Sequence, residues 1–257
     1  MLPLGWRPVP LLRYQGIPDH CNTGLELSLL GGFELRSNGS VLRVTQTAER
    51  LLALLAIRAR PMLRLYVASS LWSDSTEEHA NGSLRSALWR LGRAGQQLVA
   101  TDPEHLWLDP QVHVDLYDVT VRARRLLSGG AAEEGDFAAM VPAVDLLPDH
   151  YDDWVLIERE RHRQLRMHAL EVLCLRLSAA GRHAEAIEAG LAAVSGEPLR
   201  ESAHRVLIRA HIAEGNRCEA LRQFERYRDV IRRELGLAPS PEIAAIIVEN
   251  ELAVATT

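Results

Sequence analysis

The sequence predicts a mainly α protein in two parts: a winged helix-turn-helix with a small N-terminal antiparallel sheet and a C-terminal hairpin, then an all-α, tetratricopeptide-like helical domain. Three observations predict it. Residues 25–44 alternate apolar and polar side chains around glycine-rich turns, the signature of half-buried strands. Residues 47–95 then hold three helical patterns broken by short turns, with two short apolar runs after them. From Val114 onward the pattern is helical almost throughout and repeats at an offset of 34 residues.

Taken in order, residues 1–24 carry prolines and glycines, and their apolar run is too short and interrupted for a signal peptide or a membrane span. A flexible tail on a cytoplasmic protein is expected. In LELSLLGGFELRSNGSVLRV, Gly31-Gly32 and Ser37-Asn38-Gly39 supply the turns of the small sheet. Thr47 is placed to cap a helix through AERLLALLAIRAR, in which Leu51, Leu54, Leu55 and Arg58 fall at helical spacing. Pro61 ends it, because the residue before a proline avoids the helical region. A second helix runs from about Arg64 to Trp72. The third opens near Ser75, spaced from Glu78 as in a capping box, and continues through HANGSLRSALWRLGRAG. Leu98 to Ala100 and Leu106 to Leu108 form a hairpin joined by Thr101 to His105. The expected boundaries are 1–24 for the tail, 25–112 for the winged helix and 113–257 for the helical domain.

Within that last part, SGGAAEEGD at 128–136 reads as a flexible break. LEVLCLRLSAAGRHAEAI and HRVLIRAHIAEGNRCEAL then align Gly181 with Gly215, Glu185 with Glu219 and Ala186 with Ala220. An offset of 34 residues is the tetratricopeptide period, in which a helical hairpin buries its apolar face by stacking on its neighbour. The small residues at these positions are expected to let paired helices approach closely. A third hairpin is expected from the helices before Asp149 and the long helix after Asp152.

Charge narrows the function. The chain has 257 residues, with 29 basic against 34 acidic side chains, and all of the basic ones are arginine. Without lysine there is no P-loop, no kinase strand lysine and no anchor for pyridoxal phosphate, biotin or lipoyl groups. Arginine still supplies planar forks for phosphates and guanine edges. The net charge is −5, yet residues 36–93 hold nine arginines and four acids, a local +5, while residues 117–257 total −5. The positive field therefore lies on the three-helix unit, as a nucleic-acid partner requires. At about 100° per residue, the third helix turns Leu84, Ala87, Leu88 and Leu91 inward. Gly82, Ser86, Trp89 and Arg93 then face outward, flanked by Arg85 and Arg90. This is the face a recognition helix lays in the major groove, where Arg85, Ser86 and Arg90 reach base edges or phosphates. Arg50 and Arg64 on the preceding helices and Thr101 in the hairpin complete the candidate DNA-contacting set.

Other clusters read as structural. In Asp149-His150-Tyr151-Asp152-Asp153-Trp154, an aspartate caps the long helix and Trp154 is buried. His162 and His168, and His204 and His211, lack the spacing of a zinc-binding helix and read as solvent or core histidines. Cys21, Cys174 and Cys218 are odd in number and far apart, which fits idle thiols in a reducing compartment. ERERHRQLR and RQFERYRDVIRRE are charged helical faces with ion pairs at Glu158–Arg161 and Glu225–Arg228. No catalytic constellation, metal site or cofactor is expected, and the chain does not read as an enzyme.

The order of parts resembles the SARP family of bacterial transcriptional regulators, in which a winged helix precedes a bacterial transcriptional activation domain. The resemblance spans about residues 25–250 and rests on LLGGFELRSNG, RLLALLA, SLRSALWRLGRAG, LLPDHYDDWVLIERERHRQLR, EPLRESAHRVLIRAHIAEGNRCEALRQFERY and RRELGLAPSPEI. It implies an activator that binds double-stranded promoter DNA, usually as a homodimer on repeated half-sites, and that contacts RNA polymerase holoenzyme. Two departures stand out. The family's arginine-leucine-arginine triplet is here Arg90-Leu91-Gly92, and the wing region 94–116 has no arginine and four acids, Asp102, Glu104, Asp109 and Asp115. These departures motivate an alternative, a protein–protein adaptor whose winged helix no longer binds DNA strongly.

Overall fold

The computed structural model describes residues 24–92 and 98–255; the tail expected at 1–24 therefore lies almost wholly outside the described residues. Strands β1 (Leu25–Ser28), β2 (Glu34–Ser37), β3 (Ser40–Val41) and β7 (His113–Val114) form a four-stranded sheet in the order β3-β2-β1-β7. The β2–β3 hairpin closes through Asn38 and Gly39 at φ 49° and 78°, the left-handed pair that a two-residue turn needs, with Ser37 opposite Ser40. Helix α1 (Gln46–Arg58) is capped by Thr45, whose hydroxyl accepts from the Ala48 amide at 3.4 Å, and not by Thr47, which lies inside the first turn. The helix ends at Arg58 with Ala59 at φ 48°. Its run Leu51 to Ala56 is wholly buried rather than one-sided.

Helix α2 (Arg64–Leu71) packs on α3 (Glu77–Arg90). The cap of α3 is Thr76, accepting from the His79 amide, so the expected Ser75–Glu78 capping box does not form. Strands β5 (Val99–Thr101) and β6 (His105–Leu108) make the hairpin, and β4 (Met62–Leu63) joins its edge in the order β4-β6-β5. This unit, made of residues 24–26, 35–55 and 59–113, is a winged helix-turn-helix.

A second compact unit takes residues 27–34, 56–58 and 114–255. Its helices are α4 (Asp115–Leu127), α5 (Asp136–Met140), α6 (Asp153–Ala179), α7 (His183–Gly196), α8 (Glu201–Glu214), α9 (Arg217–Leu235) and α10 (Pro241–Ala255). The 27–34 segment is held through its backbone amides: the Asp115 carboxylate accepts from the Leu29 and Leu30 amides at 2.9 and 3.1 Å. The Gly31 amide donates to the Asp145 carbonyl at 2.8 Å. Helix α6 packs on α4, α7 and α8, and α8 on α9 and α10, which is tetratricopeptide-like stacking.

The aligned glycines act differently from expectation. Gly181 and Gly215 have φ of 76° and 89° and open space where a Cβ would stand, so they turn the chain between helices and do not bring helices together. Close approach occurs instead at Gly190 of α7, where a Cβ would lie 3.2 Å from Leu207 Cβ and 3.3 Å from Cys174 Sγ. Ala186 and Ala220 are buried at the aligned alanine positions.

Residues 128–136 are pinned rather than flexible. Asp136, fully buried, accepts from Arg125 at 2.6 Å and from the Glu133 amide at 2.8 Å. Arg176 donates to the carbonyls of Leu126, Gly129 and Gly130. At the start of α6, Asp152 occupies the cap position without a side-chain capping hydrogen bond to the helix, and Trp154 is buried, the latter as expected of that cluster. His162 and His204 are core residues; His204 bonds the Pro198 carbonyl and Gln223 at 2.9 and 2.8 Å and packs at a tilt against the Tyr227 ring. Burial pushes the Cys174 thiol up to about 12, and Cys218 is exposed; Cys21 lies outside the described residues.

Candidate nucleic-acid interface

Helix α3 begins where Thr76 turns the chain from an extended conformation into the helix. Its Oγ1 lies 2.7 Å from His79 Nδ1 and also accepts from the His79 amide. The one hydroxyl thereby ties both the backbone and the ring of His79 to the helix cap. His79 was not singled out by sequence reasoning. The available signal is the Thr76-Glu77-Glu78-His79 spacing, in which residue and cap meet across one turn.

Further along, the two faces of α3 separate as the helical arithmetic requires. Leu84, Ala87 and Leu91 are buried, and Leu88 is half-buried. Arg85, Ser86, Trp89 and Arg90 are all exposed on the other side. Trp89 is 82% exposed. The Ser86 hydroxyl donates to the Gly82 carbonyl at 3.0 Å, one turn back on its own helix. Beside this face lies an open concavity of about 590 Å³ lined by Thr47, His79, Gly82, Arg85, Ser86 and Arg90.

The remaining sequence candidates stand on other elements of the same unit. Arg50 of α1 is half-buried, and its Nη2 donates to the Leu71 carbonyl at the end of α2 at 2.9 Å. Arg64 opens α2 half-buried, with its backbone amide bonded to the Glu104 carbonyl at 2.8 Å. Thr101 is exposed on β5, opposite Leu106. Arg93 lies outside the described residues. The structure thus brings four of the eight candidates onto one helix face.

The hairpin turn is organised by an acid. Asp102 accepts from the Glu104 and His105 amides at 2.8 and 2.6 Å and from the His105 ring at 3.2 Å. These amide bonds hold its carboxyl below the usual carboxylate range. Part of the wing's negative charge is therefore used to shape the turn. Among the described residues, no group of three or more His, Cys, Asp or Glu side chains is placed to hold a metal ion.

The family model described as bacterial transcriptional activator domain matches residues 116–249, more than half of the chain. The chain is 27% identical over 264 aligned residues to the regulatory protein AfsR of Streptomyces griseus. It covers 93% of itself and 26% of that relative, so it spans about a quarter of the relative's length. In fold it is similar to Mycobacterium tuberculosis EmbR, solved in complex with a low-affinity phosphopeptide, with a TM-score of 0.64 and 20% identity over 90% of this chain and 65% of that one. The chain belongs to the SARP-type regulators, with a bacterial transcriptional activator domain. The match falls on the helical unit of this SARP-type regulator, from the first turn of α4 into α10. The family is one of transcriptional regulators rather than a class of enzymes. No helix among the described residues is long and apolar enough to cross a membrane.

Proposed function

We propose that this SARP-type regulator is a sequence-specific DNA-binding transcriptional activator. Its winged-helix unit lays α3 in the major groove of double-stranded promoter DNA, and the chain acts as a homodimer on repeated half-sites. RNA polymerase is met through or alongside the helical unit, the role implied by the family.

The observation that carries this reading is the exposed set Arg85, Ser86, Trp89 and Arg90 on one side of α3, with the opposite side buried. Two arginine forks on a helix of this setting suit guanine O6 and N7 or flanking phosphates. Arg64 and Thr101 stand on neighbouring elements, where contacts to the backbone of the duplex would fix register. Arg50 contributes by supporting α2 through the Leu71 carbonyl.

Footprinting of the purified chain on genomic fragments tests the proposal. Protection of paired half-sites about one helical turn apart, or a multiple of that spacing, is the expected result. Absence of any protection at low salt, together with a stable protein partner recovered by pull-down, overturns it in favour of an adaptor.

A further inference from the structure

Three features of α3 form a continuous strip along the centre of its outer face. Gly82 has no side chain, and the space where a Cβ would stand is open except for Arg85 Nη2 at 3.9 Å. Ser86 has its hydroxyl proton committed to the Gly82 carbonyl, which leaves its oxygen as an acceptor but not a donor. Trp89 follows, 82% exposed, and it is the only exposed tryptophan among the described residues; Trp72 and Trp107 are half-buried and Trp154 is buried. An indole side chain has 150–250 Å² to bury, roughly, and here nearly all of it is left to solvent on an ordered helix. Arg85 and Arg90, both exposed, stand beside the strip.

A strip whose largest exposed surface is the apolar face of an indole ring, flanked by cations, has one apolar match among base edges. The C5-methyl of thymine is the apolar group that the major groove displays, whereas guanine, cytosine and adenine present donors and acceptors there. From Gly82 to Trp89 the helix rises about 10 Å, which is about three base-pair steps. Resting on the DNA-binding reading above, we infer that the Gly82–Ser86–Trp89 strip reads thymine methyl groups, with the Trp89 indole as the main contact and the arginines directed to neighbouring guanines or phosphates. Trp89 is then a specificity determinant rather than a general source of affinity.

The test uses the full chain and duplexes that it selects from a random-sequence pool, each remade with uracil in place of thymine at one position at a time. Uracil lacks only the methyl. At one or two positions uracil should weaken wild-type binding about fourfold, the effect of losing one buried methyl-sized group. Trp89→Ala should bind more weakly and be indifferent to uracil at those positions, while Trp89→Phe should keep the discrimination. Melting temperatures of both variants close to wild type, as the exposure of Trp89 leads one to expect, exclude loss of folding as the cause. If duplexes are selected but uracil has no effect anywhere, or Trp89→Ala keeps the effect, the inference falls while DNA binding stands. Loss of binding in Trp89→Phe as in Trp89→Ala, with no uracil effect, assigns the indole N–H to a phosphate and overturns it too. A change in sedimentation of free Trp89→Ala with an unaltered uracil profile assigns the indole to a second copy of the chain. If no duplex is selected at low salt, the DNA-binding reading falls and this inference falls with it.

Discussion

His162 is 7% exposed in α6, and neither ring nitrogen has a hydrogen-bond partner. Burial and then the nearby Arg166 charge, opposed by Asp145, lower its pKa to about 4 from 6.5. The unfolded chain therefore binds a proton that the folded chain refuses between these values. The neutral ring's contribution is fully present above pH 6.5 and is lost as the pH falls toward about 4, on the order of 3 kcal/mol in all. His162→Leu should keep its stability at pH 7.5 or gain slightly, since it removes buried polar atoms without partners, and its stability should fall less steeply with acid. Urea melts across this pH range check both points; equal slopes for the two proteins would show that the ring is solvated. At the proposed interface the residue-scale expectation is different in kind. Arg85→Ala and Arg90→Ala should each weaken binding by about 10- to 100-fold where the arginine reads a base, measured by mobility shift. Unchanged binding in both would mean that another face of the unit meets DNA.

The faces of α3 were legible because one helical period relates Leu84, Ala87 and Leu91, all buried, to Arg85, Ser86, Trp89 and Arg90, all exposed. Features set by backbone geometry were less so. Thr45 and Thr47 are alike in composition, but only Thr45 has the extended backbone, at ψ 152°, that aims its hydroxyl at Ala48. Met62–Leu63 is too short for any period, and it becomes a strand only because β6 lies beside it. Arg50 of the DNA-contacting candidates also bonds the Leu71 carbonyl, a target that nothing in the sequence marks. The aligned Gly181 and Gly215 were seen, but a repeat does not say whether a glycine turns the chain or admits a neighbour. Gly190, outside the aligned set, is the contact between α7 and α8. Gly190→Ala should lower stability by about 1 kcal/mol, because crowding against Leu207 Cβ outweighs the gain in helix propensity. A thermal melt decides this; a rise in melting temperature would show that Leu207 yields.

For the whole molecule, the separation of charge between residues 36–93 and 117–257 predicts how DNA affinity responds to salt. If about five arginines meet phosphates, log Kd against log salt should rise with a slope of about 4 to 5. A slope near zero would disconnect the positive segment from DNA. Residues 27–34 belong to the unit that holds the helices following Val114. That arrangement has a consequence for dissecting the molecule genetically. A fragment ending at Val112 would leave the amides of Leu29, Leu30 and Gly31 without the Asp115 carboxylate and the Asp145 carbonyl that they bond to in the intact chain. Such a fragment should aggregate or be proteolysed at residues 27–34, so a failed binding assay on it would report a broken sheet connection and not an absent affinity for DNA.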